Sequence, residues 1–251
     1  MSGHSKWANI KHRKAAVDTK RGKVFSRLGR EIMMAARRGG PNPDINFRLK
    51  LAVQKARANN LPMDNINRAI QRGGGEGAQE NIEEFTYEGY GPGGVAILLD
   101  IVTDNRNRTA SDVRHLFSRH GGNLGESGCV AWMFDKRGTL TINAADTKKS
   151  EDDLMMVALE AGADDLRRED DTYTVVTAPE RLEVVRETFV AAGVGKLEAE
   201  ITMIPKSTVT IEGADAEKLM RLMEALEDHE DVQNLYANFD IPDEVLAKLE
   251  A

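Results

Sequence analysis

The hydrophobic pattern of the chain changes at a triple glycine, Gly73-Gly74-Gly75, and this change limits what the chain can fold into. Before it, apolar residues recur every three or four positions, which is typical of amphipathic helices. After it, short apolar runs alternate with helical segments, which is typical of mixed α and β structure. The sequence therefore predicts a helical domain with an N-terminal arm over residues 1–75, a glycine linker, and α+β structure beyond.

Three helices are predicted before the glycines. The first carries Val24, Leu28 and Ile32 at positions i, i+4 and i+8, so that one apolar face is available for a core. Glycine and proline residues interrupt the pattern between the helices. The predicted helices cover residues 22–38, 46–58 and 63–72.

A strand–helix–strand–strand–helix–strand order is predicted between residues 136 and 206. This order is the ferredoxin-like split unit. Residues 81–135 and 207–251 supply two halves of a second such unit, in which residues 128–134 and 207–212 are strands. We therefore predict an α+β fold with an N-terminal all-helical domain and two ferredoxin-like domains, one inserted into the other. A cut near residue 145, giving two sequential α+β lobes, is the alternative.

The charge of the chain is divided in the same way as its pattern. The first 80 residues contain 17 Lys and Arg against 6 Asp and Glu, a net charge of +11. The whole chain has 34 against 41, so the remaining 171 residues hold 17 against 35, a net charge of −18. A basic segment on an acidic body favours a polyanion at one end, and nucleic acid rewards clustered cations through counterion release. The acidic body is a candidate surface for protein partners.

The candidate phosphate-binding residues fall into two groups. The first is the basic run near the N-terminus, where Trp7 could stack on a base or pack against the helices. The second is a pair of arginines at the start of a helix, a position that can hold an anion. Internal ion pairs stay open for both groups, since the acidic body could neutralise the arm and Asp100, Asp104 or Asp112 could pair with the two arginines. The predicted nucleic-acid-binding residues are Lys6, Trp7, Lys11, His12, Arg13, Lys14, Lys20, Arg21, Lys23, Arg27, Arg30, Arg106 and Arg108.

No residue pattern points to catalysis, a metal or a cofactor. The GxGxxG match at residues 89–94 precedes a strand instead of a helix, so it is predicted to be a glycine turn. The five histidines lack metal-ligand spacing, and Cys129 lacks a basic neighbour to activate its thiol. The acidic run Glu227–Asp231 is predicted to be a solvated face. We therefore predict a protein that is not an enzyme, with no catalytic residues, no metal site and no cofactor.

The same sequence carries no signal for a membrane. No apolar run approaches the ~18–20 residues that span a bilayer, and the N-terminus lacks the apolar stretch of a secretory signal. The single cysteine fits a reducing compartment. These features predict a cytoplasmic location.

Six segments together resemble the YebC/PmpR family. They follow one another in the family's order over essentially the full chain. Cys129 stands where serine is expected, and Met63 stands where lysine is expected, which removes one charge from the predicted binding face. The segments are GHSKWANIKHRKAA at 3–16, KRGKVFSRLGREI at 20–32, NLPMDNI at 60–66, GYGPGGVA at 89–96, DNRNRTASDVR at 104–114 and GGNLGESGCVAWMF at 121–134.

The resemblance implies a cytoplasmic protein that regulates gene expression, with an N-terminal helical domain and two α+β domains. The family is named for transcriptional regulation by DNA binding, and we take this as the leading hypothesis. Some members look like ribosome-associated factors that help translation through proline-rich stretches, and a mitochondrial branch looks like a translational activator. The alternative is therefore a translation factor that binds ribosomal or transfer RNA. Sparse aromatics disfavour single-strand readout, and no helix-turn-helix recognition helix is evident, so the residues alone do not separate duplex DNA from structured RNA.

Overall fold

The computed structural model describes residues 21–74, 82–169, 171–242 and 244–245. Two compact units divide the chain, one formed by Met1–Asp135 with Ile204–Ala251 and the other by Lys136–Met203. The helices within the described residues are α1 Arg21–Gly39, α2 Phe47–Ala58, α3 Met63–Gly74, α4 Arg106–Arg119, α5 Glu151–Ala161, α6 Leu182–Ala191 and α7 Gly213–Asp228. The strands are β1 Glu83–Tyr90, β2 Ala96–Thr103, β3 Asn123–Leu124, β4 Phe134–Asn143, β5 Asp165–Glu169, β6 Thr172–Thr177, β7 Glu198–Pro205, β8 Val209–Thr210, β9 Val232–Ala237 and β10 Phe239–Asp240.

The first three helices pack around one apolar core, as their periodicity predicts. Ile32 of α1, Leu49 of α2 and Ile66 of α3 are at most 1% exposed and belong to the same cluster. The buried amide of Asn46 ties α2 to the end of α1. Its Oδ1 accepts from the backbone N–H of Leu49, which caps α2, and its Nδ2 donates to the carbonyl oxygen of Ala35. These contacts fix the turn that reverses the chain between the two helices.

The triple glycine is only in part the linker that its sequence predicts. Helix α3 continues through Gly73 and Gly74, while Gly75 lies outside the described residues. Gly73 is buried, because a Cβ there would clash with the carbonyl oxygen of Met33 and lie 2.9 Å from the Cβ of Ala36. Glycine at this position therefore allows the backbones of α1 and α3 to meet.

The sheet of the first unit has the strand order β3-β1-β2-β9. Strands β1 and β2 are antiparallel and joined by the predicted glycine turn, in which Gly93 and Gly94 have φ of +69° and +77°. Helices α4 and α7 supply Phe117 and Leu222 to a core shared with Leu99 of β2. Val102 of β2 belongs to a separate small cluster with residues of α1, which joins the helical part to the sheet.

This sheet differs from the predicted split unit in two of its strands, those predicted at residues 207–212 and 128–134. Strand β1 occupies the place that the prediction gave to residues 207–212. Those residues instead contain the short strand β8, which pairs in parallel with β10 in a separate two-stranded sheet. The overall class, an α+β fold that begins with helices, is confirmed.

The predicted strand over residues 128–134 is wrong for most of its length. Residues 131–133 form a 3₁₀ turn, and β4 begins at Phe134. The buried carboxylate of Glu88 accepts hydrogen bonds from the backbone N–H groups of Gly128, Val130 and Ala131 at 2.6, 2.8 and 2.7 Å. Burial alone would raise the pKa of Glu88, but these three donors outweigh it and lower the pKa. The Glu88 carboxylate thus takes the backbone N–H groups that these residues would need to pair with a neighbouring strand.

The second unit contains the predicted split order. Its sheet has the strand order β5-β6-β4-β7, with β6 antiparallel to both β4 and β5. Helices α5 and α6 contact each other and bury Leu154 and Phe189 completely. A capping box between Ser150 and Asp153 begins α5. In the part of the chain described above, no helix is long and apolar enough to cross a bilayer.

Candidate nucleic-acid interface

The structure describes five complete side chains of the predicted binding set. Lys23, Arg27 and Arg30 lie on α1, and Arg106 and Arg108 lie in the first turn of α4. Arg21 is the first residue of α1. The predictions for Lys6, Trp7, Lys11, His12, Arg13, Lys14 and Lys20 lie outside the described residues.

A row of cations on α1 contacts the C-terminal end of α7. Lys23 Nζ donates to the carbonyl oxygen of Asp228 at 3.3 Å and lies 3.6 Å from its carboxylate. Arg27 donates to the carbonyl oxygen of Glu227 and lies 3.8 Å from its carboxylate. The carbonyl end of a helix carries partial negative charge, so these cations meet the dipole as well as the side chains. Burial lowers the pKa of Arg27, and the charges of Glu227 and Asp228 oppose that effect.

The buried carboxylate of Asp231 connects α1, β2 and α4. Its side chain is 2% exposed. Its Oδ2 accepts from Thr103 Oγ1 at 3.2 Å, from Thr109 Oγ1 at 2.8 Å and from Arg108 Nη2 at 3.2 Å. Its Oδ1 lies 3.5 Å from Arg30 Nη1. Burial would raise the pKa of Asp231, but the hydrogen bonds from Thr109, Arg108 and Thr103 outweigh it and lower the pKa.

These contacts bear on two predictions made from the sequence. The prediction of a solvated acidic run is wrong for Asp231, because the residue is buried and its Oδ2 accepts three hydrogen bonds. Arg30 extends the row on α1, since it also donates to the carbonyl oxygen of Glu230. Lys23, Arg27 and Arg30 therefore have anionic partners within the chain, which is the internal pairing that the sequence left open. Their contact with phosphate stays a prediction and requires an exchange of these partners.

The two arginines of α4 differ in their surroundings. Arg108 lies 3.1 Å from Asp104, one of the internal partners that the sequence left open, and also binds Asp231. The guanidinium of Arg106 lies over the ring of Phe85, 4.6 Å from its centroid. Its nearest carboxylate, that of Glu83, is 3.9 Å away, and both side chains are 61% exposed. An exposed pair at this distance contributes little, so Arg106 is the more accessible of the two.

A cleft of about 530 Å³ lies between α1, α3 and the start of α4. Two residues that line it, Arg68 and Arg72 of α3, are four apart on one face of the helix and were missed by the sequence analysis. Arg68 donates to Asn65 Oδ1 at 2.7 Å and to the carbonyl oxygen of Asp64, both uncharged groups. The signal that could have found these arginines is their i, i+4 spacing in a helix with few acidic residues. The charged residues that line the cleft are Arg30, Arg68, Arg72, Asp104, Arg108, Glu230 and Asp231.

The cleft offers guanidinium groups, which are of a kind suited to phosphate oxygens. Burial raises the pKa of the Cys129 thiol, and the charges of Glu88 and Glu126 raise it further, so the thiol stays protonated. Among the described side chains, no group of three or more His, Cys, Asp or Glu could hold a metal ion. The cleft can therefore take part in binding, through guanidinium groups suited to phosphate oxygens.

The fold and this site define a class of protein, an α+β chain that begins with a cationic helical module. Residues 5–76 match the family described as TACO1/YebC protein N-terminal domain, and residues 82–239 match TACO1/YebC second and third domain. The chain belongs to the TACO1/YebC family, which confirms the resemblance stated from its motifs.

Relatives match along nearly the whole chain. A protein of Dictyoglomus turgidum is 56% identical over 249 residues, which cover 99% of this chain and 100% of that protein. One of Syntrophobacter fumaroxidans is 58% identical over 250 residues, with the same coverage. Both carry the name "Probable transcriptional regulatory protein". The crystal structure of a conserved hypothetical protein from Aquifex aeolicus is 48% identical, covers 90% of this chain and 93% of that one, and superposes with a TM-score of 0.82.

Proposed function

We propose that this protein is a cytoplasmic, non-enzymatic regulator of gene expression that binds nucleic acid, and that duplex DNA is its target in transcriptional regulation. The observation that carries the proposal is the charge division, with +11 in the first 80 residues and −18 in the remaining 171. The names of the relatives from Dictyoglomus turgidum and Syntrophobacter fumaroxidans support transcription as the process.

The proposed interface combines the leading basic segment with the arginines of the cleft. Lys6, Lys11, Arg13, Lys14 and Lys20 precede α1, and their density favours phosphate contact through counterion release. Arg68 and Arg72 of α3 and the exposed Arg106 of α4 would extend the contact. Trp7, His12 and Arg21 belong to the same proposed surface.

The proposal gives Lys23, Arg27, Arg30 and Arg108 a second task. They hold α1 and α4 to the acidic end of α7, and a phosphate backbone would compete for the same guanidinium and ammonium groups. Such competition makes their contribution to binding smaller than that of cations without a carboxylate partner. The density of cations in the leading segment leads us to expect most of the affinity from it.

Binding should be measured by fluorescence anisotropy on duplex DNA and on a structured RNA of equal length. If about five cations contact phosphate, log K against log salt should have a slope near −4 to −5 on DNA. A Lys11→Ala/Arg13→Ala double variant should bind all duplex sequences more weakly by a similar factor, as phosphate contacts require. Lys196→Ala/Lys149→Ala, which changes the net charge equally outside the proposed interface, serves as the matched control.

Three results would count against the proposal. A salt-independent affinity would remove the polyanion partner. Equal losses in the interface and control variants would mean that only the net charge matters. Tighter binding of the structured RNA, together with co-sedimentation with ribosomes, would replace DNA by RNA and favour the translation-factor alternative.

A further inference from the structure

Helix α5 of the second unit is apolar on two opposite sides. Its inner side packs in the core of that unit through Leu154, Val157, Ala158 and Ala161. Its outer side exposes Met155, Met156 and Leu159, whose exposed fractions are 38%, 58% and 64%. Asp152 lies three and four positions before Met155 and Met156, so the outer side combines large apolar side chains with a carboxylate. Neighbouring exposed apolar side chains of this kind mark a candidate interaction site.

The exposed apolar residues of α5 form one patch. Leu159 follows Met155 by four positions and Met156 by three, and these spacings make neighbours on a helix surface. Helix α6, which contacts α5, exposes Val184 and Val190 at 56% and 50%. These five are half of the ten large apolar residues that are exposed in the described part of the chain, although α5 and α6 are short. Val184 and Val190 are six positions apart and do not share one side of α6, so the three residues of α5 are the continuous row that indicates an interaction surface.

The charges around the patch limit what can cover it. Helix α5 has four acidic residues and no basic one, and α6 adds two acidic residues against one arginine. Lys148 and Lys149 precede α5, and Arg168 of β5 lies 3.4 Å from Glu151, so these cations offset part of the negative charge and leave an acidic excess. This negative charge opposes a phosphate backbone, an anionic lipid surface and the same face of a second copy. It favours a cationic partner with an apolar side. The charged residues concerned are Glu151, Asp152, Asp153, Glu160, Glu183, Arg186 and Glu187.

We propose that the outer face of α5, with the adjoining surface of α6, binds a basic amphipathic helix of another protein. The partner's apolar residues at i, i+3, i+4 and i+7 would cover Met155, Met156 and Leu159, while its lysines and arginines would meet Glu160 and the acidic first turn. Methionine suits such a surface, because its flexible side chain and polarisable sulfur adapt to different apolar shapes. This partner is additional to the nucleic acid and uses a different unit of the chain.

The probe for the first measurement is a short peptide made only of leucine and lysine in a helical, amphipathic order. The control peptide has the same composition in strict alternation, which cannot present one apolar helical face. When the helical peptide is titrated into the full chain, the backbone amide NMR signals of α5 and α6 should shift. The alternating peptide should leave these signals unchanged.

A double substitution distinguishes binding at the patch from non-specific binding of the peptide elsewhere on the protein. Met156→Gln/Leu159→Gln should weaken binding of the helical peptide by about tenfold or more, because two buried apolar contacts are lost. Ile45→Gln/Met63→Gln removes two exposed apolar residues of the helical domain, 81% and 45% exposed, and should change the affinity less than about twofold. Glu160→Gln should weaken binding moderately and reduce its salt dependence.

Five results would overturn the proposal. Equal affinity for the two peptides, or no loss in Met156→Gln/Leu159→Gln, would show that the patch does not bind an amphipathic helix. A concentration-dependent dimer that the same double variant abolishes would make a second copy the occupant. Peptide binding that appears only after deletion of residues 1–20 would make the chain's own basic segment the occupant. Shifts of α5 and α6 on addition of duplex DNA alone would assign the face to nucleic acid.

Discussion

Two acidic regions of this protein differ in what neutralises them. At the end of α7, Glu227, Asp228 and Asp231 are met by Lys23, Arg27 and Arg30 of the same chain. On α5, Glu151 has an exposed partner in Arg168, Asp153 caps the helix with Ser150, and the acidic residues flank an exposed apolar patch. Both regions would look alike in a charge plot of the sequence. The comparison teaches that an acidic run is a candidate for an external cationic partner only where the chain's own cations do not bury its carboxylates.

The two regions also differ in how deeply their carboxylates are buried, and therefore in how much each is expected to contribute to the free energy of unfolding. Asp231 is 2% exposed and has four polar partners, so its removal takes a shared acceptor from two buried hydroxyl groups and from two arginines. Glu151 of α5 is 50% exposed in its pair with Arg168, where water can replace either partner. The first region therefore contributes to folding, while the second leaves its carboxylates exposed to water.

The largest effect is expected for Asp231→Ala. It should lower the free energy of unfolding by about 3 kcal/mol, because Thr103, Thr109 and Arg108 lose a shared acceptor. Urea denaturation followed by circular dichroism measures this change. Asp165→Ala, which removes an exposed carboxylate in the second unit, should stay within about 0.5 kcal/mol. A loss below about 1 kcal/mol for Asp231→Ala would remove the contrast between the two regions.

The second largest effect is expected in the pH dependence of the free energy of unfolding, to which Asp231 of the first region contributes. The folded state lowers the pKa of Asp231, so its contribution to stability is complete above the unfolded pKa of about 3.9 and is lost as the pH falls. Burial raises the pKa of Asp100, despite hydrogen bonds from Asn234 and Tyr236, so that group acts in the opposite sense. Asp231→Asn should therefore lose less stability than the natural protein between pH 5 and about pH 3. Parallel losses in urea titrations of both proteins would contradict the assignment.

A smaller effect is expected for the row on α1. Arg27→Ala should cost about 1 kcal/mol, since Arg27 and Glu227 are both mostly buried and the arginine also holds a helix-terminal carbonyl. Arg57→Ala on α2 removes an exposed arginine and should cost less than about 0.5 kcal/mol. Equal costs in the same denaturation experiment would mean that α1 does not depend on the acidic end of α7.

The smallest effect on stability is expected at the patch itself. Met156→Gln/Leu159→Gln should change the free energy of unfolding by less than about 0.5 kcal/mol, because both side chains are more than half exposed. Leu154→Gln on the same helix should cost about 3 kcal/mol or more, because its side chain is fully buried. Thermal unfolding of the two variants tests this, and a strong loss in the first would make the patch part of the core.

Much of the fold follows from local patterns. The three N-terminal helices and the split order of the second unit follow from apolar spacing and from glycine and proline interruptions. The prediction failed where the hydrogen-bond partner of a segment comes from a residue far away in the sequence. Residues 128–134 have a strand-like composition, but the buried Glu88 binds their N–H groups from some 40 positions away. Nothing local marks that carboxylate.

The candidate site was predicted less completely for the same reason. Charge density identified Lys23, Arg27 and Arg30, yet their carboxylate partners lie some 200 positions further along the chain. Arg68 was not predicted because most arginines on a polar helix face are simply solvated. Only the tertiary structure shows that this one lines a cleft. The sequence thus shows where cations are concentrated, but only the tertiary contacts show which of them have an internal partner.

The backbone contact at Gly73 has a consequence for the arginine-lined cleft. Because no side chain separates α3 from Met33 of α1, the two backbones meet beside the cleft that Arg30 and Arg68 line. An alanine at position 73 would push α3 away from α1 and so change the distance between these two arginines. The hydrogen of one glycine thus helps to set the separation of two charges that lie on different helices.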